Sequence, residues 1–493
     1  MKHLAFDFGA SHGRAILGTL RQGVLQLETM LDFPNRSLED SGGSWWNLRA
    51  LFDCLLEGLR VCIASGHGDV RSLAVDTWGI DYGLLDELGC IMGNPRQYRD
   101  KRTAAIRRHL PGVLTDEMLY EMTGMQSCSF NTLFQLVAER IGNPSFTKAK
   151  KLLFMPDLMN YLLTGVVGSE YSIAGTSQLL DARRMTWSQQ LMETLEMDVS
   201  LMPELHACCT SIGPLVPILH EHGALKQTEV IRVTGHDTQA AISAIPARAD
   251  RWAYISCGTW TIMGVELDQP LIGPESLQAG FSNEVGLPGR VCFQKLIPGL
   301  WLMQECVAHW EQEGLAVSHD QMAAHVRLTM PFQSFIDPLD ETFQAPGGMP
   351  ERIGAWCDKT GQVVPHTHGE IATCIFESLA MVYCETLQAL ESMLGYRIPV
   401  IHLVGGGANN QLLCQFAANA MNRTVVAGPA EATAIGNILQ QAIATGSVKD
   451  FAEARSIVAR SFPVRTYEPY DADEWAVAHQ RYLRVVGRSV RAG

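Results

Sequence analysis

The sequence predicts an α/β protein of two large domains, and three observations support this class. The chain has 493 residues, more than one compact core usually holds. A strand, a glycine turn and a second strand open the chain and recur in its second half, in "DRWAYISCGTWTIMGVEL". Helical patterns are mixed with the strands throughout, as in α/β domains. We therefore predict an N-terminal domain over residues 1–247 and a C-terminal domain over residues 248–493.

Composition and charge narrow the class of protein. Hydrophobic residues make up 47% of the chain and charged residues 18%, which is typical of folded proteins. The net charge of −14 disfavours nucleic acid or an anionic membrane as partner. No apolar run is long enough to span a membrane, and no export signal is evident. Thirteen cysteines without a CxxC pair predict reduced thiols. We expect a cytoplasmic protein, either a monomer or a homodimer.

The first element is a predicted β-hairpin. The stretches "HLAFDFG" and "RAILGTL" alternate apolar residues and flank a short turn. Gly9 and Gly13 let backbone amides approach an anion closely, so this turn is a candidate phosphate site. An ordinary hairpin needs the same glycines, and that explanation stays open. Asp7, at the end of the first strand, is a candidate ligand for hydrated Mg²⁺.

The next elements are a strand pair and a helical region. The stretch "VRSLAVDTWGIDYGLLD" predicts two paired strands around Trp78 and Gly79. Helical patterns then dominate from Lys101 to Glu204. Among them "FNTLFQLVAERIG" has the clearest amphipathic spacing.

A strand, a glycine and a helix follow in "VTGHDTQAAISAI", residues 233–245. Asp237 stands where the helix is expected to begin, so its carboxylate projects from a fixed scaffold. Two explanations are open for it. Asp is a preferred N-cap residue, and a carboxylate in this place also suits a base that accepts a proton from a reacting hydroxyl.

Two more glycine turns follow strands in the second half of the chain. The stretch "SCGTW" closes the second predicted hairpin, and "HLVGGGANN" predicts a strand, a glycine turn and a helix capped near Asn409. Three such turns together favour binding of nucleotide phosphates. None of them is the GxGxxG pattern of dinucleotide-binding folds.

Taken together, these stretches resemble the FGGY carbohydrate kinase family, within the superfamily of actin and Hsp70-like ATPases. They run in family order from residue 7 to residue 438. The resemblance implies two actin-like (ribonuclease H-like) α/β domains with a cleft between them, ATP and Mg²⁺ as cofactors, and phosphorylation of a ketose at O1. The matching stretches are "DFGASHGR", "AVDTWGIDYGLLD", "YRDKRT", "FNTLFQL", "GHDTQAA", "SCGTWTIMG", "SNEVG", "GLWLMQ", "FIDPLDETF", "HLVGGGANN" and "AGPAEATAIGNI".

The resemblance also assigns residues to roles. Asp237 corresponds to the catalytic base of the family, and Asp7 lies on the Mg²⁺ side of the phosphates. The sugar contacts are Gly79, His236, Asp237 and Thr238, with Trp78 and Asp81 as walls or hydrogen-bond partners of the sugar. The ATP contacts are Ala10, Ser11, His12, Gly13, Arg14, Thr259, Gln304 and Gly406.

The substrate expected from the resemblance is L-rhamnulose, with L-rhamnulose 1-phosphate as product. Two residues depart from the pattern of the members that act on this sugar: Leu296 replaces a usual Asn, and His12 replaces a usual Ser. The stretches "IAGTSQLLD" and "GHDTQ" are similar to kinases of L-fuculose, so another ketose is the alternative. An alternative of another class is an actin-like or Hsp70-like ATPase that phosphorylates no sugar, but such a protein would not need "DTWGIDY" or "GHDT".

Overall fold

The structure is a computed structural model that describes residues 1–40, 42–112, 114–220, 225–248, 250–315 and 319–488. The chain divides into two compact units. The first unit comprises Met1–Pro246, Glu266–Gln294 and Glu431–Phe462, and the second comprises Ala247–Val265, Lys295–Ala430 and Pro463–Gly493. The chain thus returns twice to the first unit after residue 247, whereas the predicted domains 1–247 and 248–493 are continuous and remain a prediction.

The strands before residue 247 are β1 (Lys2–Phe8), β2 (His12–Arg21), β3 (Val24–Pro34), β4 (Ser37–Asp40), β5 (Gly43–Trp46), β6 (Ser72–Thr77), β7 (Tyr82–Leu85), β8 (Lys151–Phe154), β9 (Ser169–Glu170), β10 (Leu180–Asp181), β11 (Thr186–Trp187), β12 (Leu205–His206), β13 (Thr210–Pro214) and β14 (Glu229–Arg232). The later strands are β15 (Trp252–Cys257), β16 (Trp260–Leu267), β17 (Ser282–Val285), β18 (Val291–Pro298), β19 (Val400–Val404), β20 (Thr424–Ala427) and β21 (Arg465–Tyr467).

The helices before residue 247 are α1 (Leu48–Ala64), α2 (Asp116–Thr123), α3 (Thr132–Gly142), α4 (Met155–Thr164), α5 (Tyr171–Gly175), α6 (Gln189–Thr194) and α7 (Asp237–Ser243). The later helices are α8 (Pro274–Gln278), α9 (Trp301–Gln312), α10 (His319–Arg327), α11 (Met349–Lys359), α12 (His368–Leu394), α13 (Gln411–Met421), α14 (Ala432–Ala444), α15 (Phe451–Ser461) and α16 (Ala472–Val485).

The first unit is built on a six-stranded sheet of order β13-β14-β6-β1-β2-β3. Strand β1 pairs antiparallel with β2 and parallel with β6, and β14 also runs parallel to β6. Strand β6 is buried along its whole length and β1 is buried from His3 to Phe8. Each has an apolar centre, Leu4–Phe6 in β1 and Leu73–Val75 in β6, as expected for central parallel strands, and buried polar residues near its ends. An apolar cluster that includes Phe6 and Leu55 of α1 covers this sheet.

The sheet of the second unit repeats this topology. In the order β16-β15-β19-β20-β21, β15 pairs antiparallel with β16 and parallel with β19, β20 runs parallel to β19, and β21 is antiparallel. The segment β2-β1-β6-β14-β13 of the first unit has the same sequence of pairings. The internal duplication indicated by the two predicted hairpins is therefore present in the fold.

Two local predictions differ from the structure. Strands β6 and β7 both exist, but they are not paired, because β7 pairs with β8 in a separate two-stranded sheet. The helix after the triple glycine is α13, and its N-cap is Asn410, whose side chain accepts the amide of Leu413. Asn409 instead ends a short 3₁₀ turn, Gly406–Asn409.

Among the described residues, no helix is long and apolar enough to cross a membrane.

Candidate active site

The predicted site residues of the first unit meet at one edge of its sheet. Asp7 near the end of β1 pairs with Asp76 of β6 on one side and with Arg14 of β2 on the other. One position later, Thr77 forms a parallel bridge to His236 and donates its amide to the carbonyl of Gly235 over 2.9 Å. The carboxyl ends of neighbouring parallel strands lie at the same sheet edge, where α/β proteins bind ligands.

Two buried carboxylates, Asp7 and Asp76, lie side by side at this edge. Arg14 donates from Nη2 to Oδ2 of Asp7 over 3.0 Å, and Asn437 of α14 donates to Oδ2 of Asp76 over 2.6 Å. Burial raises the pKa of Asp7 to about 6, against the lowering by Arg14, and the nearby Asp237 carboxylate raises it further. Burial also raises the pKa of Asp76 well above its usual value.

Arg14 joins the hairpin to the segment before α14. Its second terminal nitrogen, Nη1, contacts the Glu431 carboxylate while Nη2 contacts Asp7. The guanidinium is therefore fixed between two carboxylates, in a geometry that a lysine could not reproduce.

Asp237 is the first residue of α7, and His236 occupies the N-cap position without a capping side-chain bond. Oδ1 of Asp237 accepts the amide of Thr238 over 2.6 Å and lies 3.5 Å from Nε2 of His236. The side chain is 30% exposed. Burial raises the pKa of Asp237, whereas His236 and Thr238 lower it. Asp237 is thus not the N-cap residue, and its carboxylate is accessible from one side.

Asp81, a predicted sugar contact, has both carboxylate oxygens engaged by the protein. Oδ2 accepts the indole N–H groups of Trp46 over 2.6 Å and of Trp78 over 3.0 Å, together with the amide of Tyr98 over 3.2 Å. Oδ1 accepts from Gln135 over 2.8 Å. The carboxylate is fully buried, and burial raises its pKa to about 6. Asp81 therefore fixes the Trp78 ring.

The turn after Trp78 has an unusual backbone. Ile80 has φ of 67°, which is rarely adopted by a β-branched residue and marks local strain. The hydroxyl of Thr176 accepts the amide of Ile80 over 3.0 Å, and the hydroxyl of Thr132 donates to the carbonyl of Ile80 over 2.6 Å. A Cβ at the neighbouring Gly79 would lie 3.1 Å from the Thr176 side chain. Two threonines thus hold the turn that presents Gly79.

The phosphate-turn candidate is a tight hairpin between β1 and β2. The amide of Gly9 donates to the carbonyl of His12 over 2.8 Å, and Asn35 donates from its side chain to the carbonyl of Gly9 over 3.0 Å. A Cβ on Gly13 would overlap the ring of Phe33, so only glycine fits there. His12 itself is exposed and lies 3.0 Å from an oxygen of Asp32.

The predicted ATP contacts of the second unit lie on elements packed around the end of β15. Thr259 is in the turn between β15 and β16, and its carbonyl accepts the amide of Trp301 at the start of α9, the helix that carries exposed Gln304. A Cβ on Gly407 would overlap Cys257 at the end of β15, whereas a Cβ on Gly406 would meet nothing within 4 Å. The open side of Gly406 leaves room for a ligand to approach the backbone.

The carboxylates of Asp7 and Asp76 suit a magnesium ion that also binds water and phosphate. They do not suit a metal site made of protein ligands alone. No group of three or more His, Cys, Asp or Glu side chains in the described ranges has metal-binding geometry. Mg²⁺ needs only one or two carboxylates when water and phosphate oxygens complete its shell. Asp7 and its neighbour Asp76 provide that number. Oδ1 of Asp76 is buried and has no hydrogen-bond partner in the described part of the chain.

Three residues at this edge escaped the sequence predictions. Asp76 stands in "AVDTWG" at the end of a strand, and the same reasoning that selected Asp7 could have selected it. Glu431, the partner of Arg14, and Glu284, which lies 3.0 Å from His236, come from distant segments. Glu284 lies in the matching stretch "SNEVG" and Glu431 in "AGPAEATAIGNI", but neither stretch by itself indicates which side chain the carboxylate contacts.

Two family models match the chain. The N-terminal domain of the FGGY family of carbohydrate kinases matches residues 3–243, and the C-terminal domain of that family matches residues 253–445. A rhamnulokinase of Bacteroides thetaiotaomicron is 38% identical over 483 residues, which cover 98% of this chain and 99% of the relative. Rhamnulokinases of Enterococcus faecalis and Bacillus subtilis are 37% and 35% identical, covering 99% and 96% of this chain and 98% and 96% of the relatives.

Solved structures of low sequence identity share the fold. A ligand-bound xylulose kinase from Lactobacillus acidophilus has a TM-score of 0.82 at 14% identity, covering 99% of this chain and 98% of that one. A glycerol kinase from Plasmodium falciparum with ADP has a TM-score of 0.78 at 12% identity, covering 100% and 99%. These likenesses confirm the predicted α/β fold class of two domains. The two family models and the rhamnulokinase relatives establish that the chain belongs to the FGGY family of carbohydrate kinases and is a sugar kinase that uses ATP.

Proposed function

We propose that the protein transfers the γ-phosphoryl group of ATP to O1 of L-rhamnulose and releases L-rhamnulose 1-phosphate. The observation that carries the proposal is the position of Asp237. This partly exposed carboxylate stands at the sheet edge where Asp7 and Asp76 lie one residue before the ends of β1 and β6. The sequence identity of 35% to 38% with full-length rhamnulokinases supports the choice of sugar.

Asp237 acts in this proposal as the base that orients and deprotonates the O1 hydroxyl. Phosphoryl transfer depends mainly on positioning and charge neutralisation, with one residue directing the attacking oxygen. The raised pKa of Asp237, caused by burial, makes its carboxylate a stronger base than an exposed aspartate. The bond from Thr238 fixes Oδ1, so the carboxylate does not need to rotate during the reaction.

Asp7, next to Asp76, is the residue that we propose to hold Mg²⁺ at the phosphates, either directly or through water. The ion supplies neutralisation of the charge that develops on the transferred group. Arg14 keeps the Asp7 carboxylate oriented through Nη2. We assign ATP contacts to each unit separately. In the first unit they are Ala10, Ser11, His12, Gly13 and Arg14 of the β1–β2 hairpin, and in the second they are Thr259, Gln304 and Gly406.

The sugar contacts are assigned to the same edge as the base. We place Gly79, His236 and Thr238 at the ketose hydroxyls, since all three adjoin Asp237 or the strained turn after Trp78. Trp78 forms a wall of the pocket, with its ring fixed by Asp81. Because the Asp81 oxygens already accept four bonds, its contribution to sugar binding is through this ring.

A second candidate substrate is favoured by one residue. Leu296 is 41% exposed on β18, at the position where kinases of L-rhamnulose carry Asn. A leucine can neither donate nor accept a hydrogen bond, so a sugar hydroxyl facing it has no partner. L-fuculose or another ketose of this family is therefore the alternative.

We propose a cytoplasmic location, because thirteen cysteines without a CxxC pair are typical of a protein whose thiols stay reduced. A monomer or a homodimer stays a prediction.

The test is ADP release with Mg²⁺-ATP in a coupled assay across a panel of ketoses. The panel contains L-rhamnulose, L-fuculose, L-xylulose, D-xylulose, L-ribulose and D-ribulose, and phosphorus NMR of the product identifies the phosphorylated oxygen. We expect kcat/KM for L-rhamnulose to exceed the others by about tenfold or more. A higher value for another ketose would replace the substrate, and Leu296→Asn should then move the preference toward L-rhamnulose. No ketose-dependent turnover would refute the proposed function.

A further inference from the structure

His236 lies between two carboxylates rather than beside one. Its Nε2 is 3.5 Å from Oδ1 of Asp237, and its Nδ1 is 3.0 Å from Oε2 of Glu284 on β17. The Nδ1 contact is an ion pair, and Nδ1 has no hydrogen-bond partner among the described residues. The imidazole thus links Glu284 to the proposed base.

Glu284 is held by the helix that carries this base. Gln239 of α7, two residues after Asp237, donates from its side chain to Oε2 of Glu284 over 3.2 Å. The Sγ atom of Cys292 donates to the other end of the same amide over 3.0 Å, and Gln294 also bonds Glu284. Gln239 thus connects Glu284 to the helix whose N-terminus carries His236 and Asp237.

Because His236 and Glu284 are buried, a negative charge on Glu284 needs a positive charge or hydrogen-bond donors beside it. The side chains of His236 and Glu284 are only 10% and 12% exposed, and a buried carboxylate is stable as an anion only beside a cation or several donors. Burial alone would raise the pKa of Glu284, but His236 holds it below its usual value. Burial alone would lower the pKa of His236, but Glu284 and then Asp237 raise it above its usual value.

The other charged side chains that interact with His236 and Asp237 are carboxylates. Glu170 of β9 contributes to the raised pKa of His236, and it accepts the amide of Gly235 over 2.9 Å. Asp7 and Asp76 interact with Asp237 through their charges, and Arg14 is bound to Asp7. Of these side chains, His236 is the one that lies between Asp237 and Glu284 and gains a positive charge on protonation.

We propose that Glu284 is a positioning residue that keeps His236 as an imidazolium directed at Asp237. The imidazolium keeps the Asp237 carboxylate ionised in spite of its burial and fixes it for the incoming hydroxyl. Glu284 touches neither ATP nor sugar in this account. The inference rests on the proposed role of Asp237 as base and deepens it.

The test compares Glu284→Gln and Glu284→Asp with the unchanged protein in the ADP-release assay from pH 5 to 10. Loss of the Glu284 charge lowers the pKa of His236, so the imidazolium disappears at a lower pH. The alkaline limb of the kcat profile should then move toward acid by about one pH unit or more. We expect kcat to fall while KM for ATP stays the same, and Glu284→Asp should restore part of the pH dependence of kcat.

Glu377→Gln, which removes a buried carboxyl group of the second unit, is the matched control and should leave the pH dependence of kcat unchanged.

Two results would overturn the inference. One is an unchanged kcat and pH profile in Glu284→Gln. The other is a loss of activity in both variants that parallels a lowered melting temperature, with no shift of the pH dependence of kcat. That result would indicate that Glu284 has only a structural role. Asp237→Asn, measured in the same assay, distinguishes failure of the proposed base from failure of the proposed role of Glu284. If it retains turnover, the proposed base is wrong; if it is inactive while Glu284→Gln behaves normally, only the role of Glu284 fails.

Discussion

Asp81 illustrates what a single residue shows only in the folded chain. The resemblance to the family marks it as a wall or hydrogen-bond partner of the sugar. Of its four donors, Trp78 is close to it in the chain, whereas Trp46, Tyr98 and Gln135 are distant and no local pattern connects them with it. By contrast, Asp7 and Asp237 could be selected from sequence, because Asp7 lies near the end of a strand and Asp237 at the start of a helix. The role of Glu284 could not, since its contact with His236 depends on tertiary packing.

The Asp81 network predicts a large effect of an isosteric change. Asp81→Asn turns one carboxylate oxygen into an NH₂ group that faces N–H donors, so at least one buried donor loses its acceptor. We expect a loss of about 1–3 kcal/mol in the free energy of unfolding, measured by urea denaturation. Asp53→Asn, which breaks a half-exposed pair with Arg49 on α1, is the control and should change stability by less than about 1 kcal/mol. Equal effects of the two variants would contradict the assigned network.

Among the elements, α7 depends on its contact with α14. A Cβ on Gly436 of α14 would overlap the carbonyl oxygen of Ala240, three residues after Asp237. Gly436→Ala should therefore push α7 away, lowering stability by about 1–3 kcal/mol and reducing kcat with it. Gly354→Ala on α11 is the matched control, because its Cβ would meet Val364 at an ordinary 3.5 Å. That change should stabilise the protein by about 0.5–1 kcal/mol. A stable, fully active Gly436→Ala would show that α7 and α14 are not in close contact.

The long helix α12 contains a carboxyl group whose burial makes stability depend on pH. Glu377 is 1% exposed, burial raises its pKa to about 8, and it accepts the amide of Phe332. A raised pKa means that the folded state holds the proton over a pH range where the unfolded state has lost it. Stability from this group is therefore present below about pH 4.5 and is lost as the pH rises toward 8.

Glu377→Gln removes this dependence, because the amide stays neutral and can still accept the Phe332 bond. As the pH rises, the variant should therefore become more stable relative to the unchanged protein. The difference in unfolding free energy should grow by at most about 1.4 kcal/mol per pH unit. Denaturation curves at several values between pH 5 and pH 8 measure it. A difference that stays constant over this range would mean that Glu377 is ionised in the fold at all of them.

The elements also show where sequence patterns suffice and where they fail. Both hairpins, β1–β2 and β15–β16, follow from apolar alternation around a glycine turn, and α3 follows from its amphipathic spacing. The pairing of β6 with β7 was wrong because the backbone at Ile80 takes a left-handed conformation. The chain then leaves the sheet, and β7 finds its partner in β8, some seventy residues away along the chain. A sequence pattern gives strand positions, but not which of them pair across such a turn.

At the scale of the whole molecule, the thirteen thiols give a prediction that covers both units. All are free, and only Cys90 is exposed. Burial raises the pKa of several others, including that of Cys128 to about 11 and that of Cys62 to about 11, which slows their reaction as thiolates. A thiol reagent at pH 7.5 should label one site rapidly in the native protein and all thirteen after denaturation without reductant. Cys90→Ser should remove the rapid phase. Fewer than thirteen reactive groups after denaturation would reveal a disulfide.

The most direct measurement of the central claim is the turnover of Asp237→Asn with Mg²⁺-ATP and L-rhamnulose, together with its ATP affinity by titration calorimetry. The variant keeps the shape of the side chain and can still accept the Thr238 amide, but it cannot take the proton of the O1 hydroxyl. We expect kcat to fall by about 10²- to 10⁴-fold with ATP binding unchanged. A variant that keeps most of its turnover and binds ATP normally would show that the sheet-edge carboxylate is not the base.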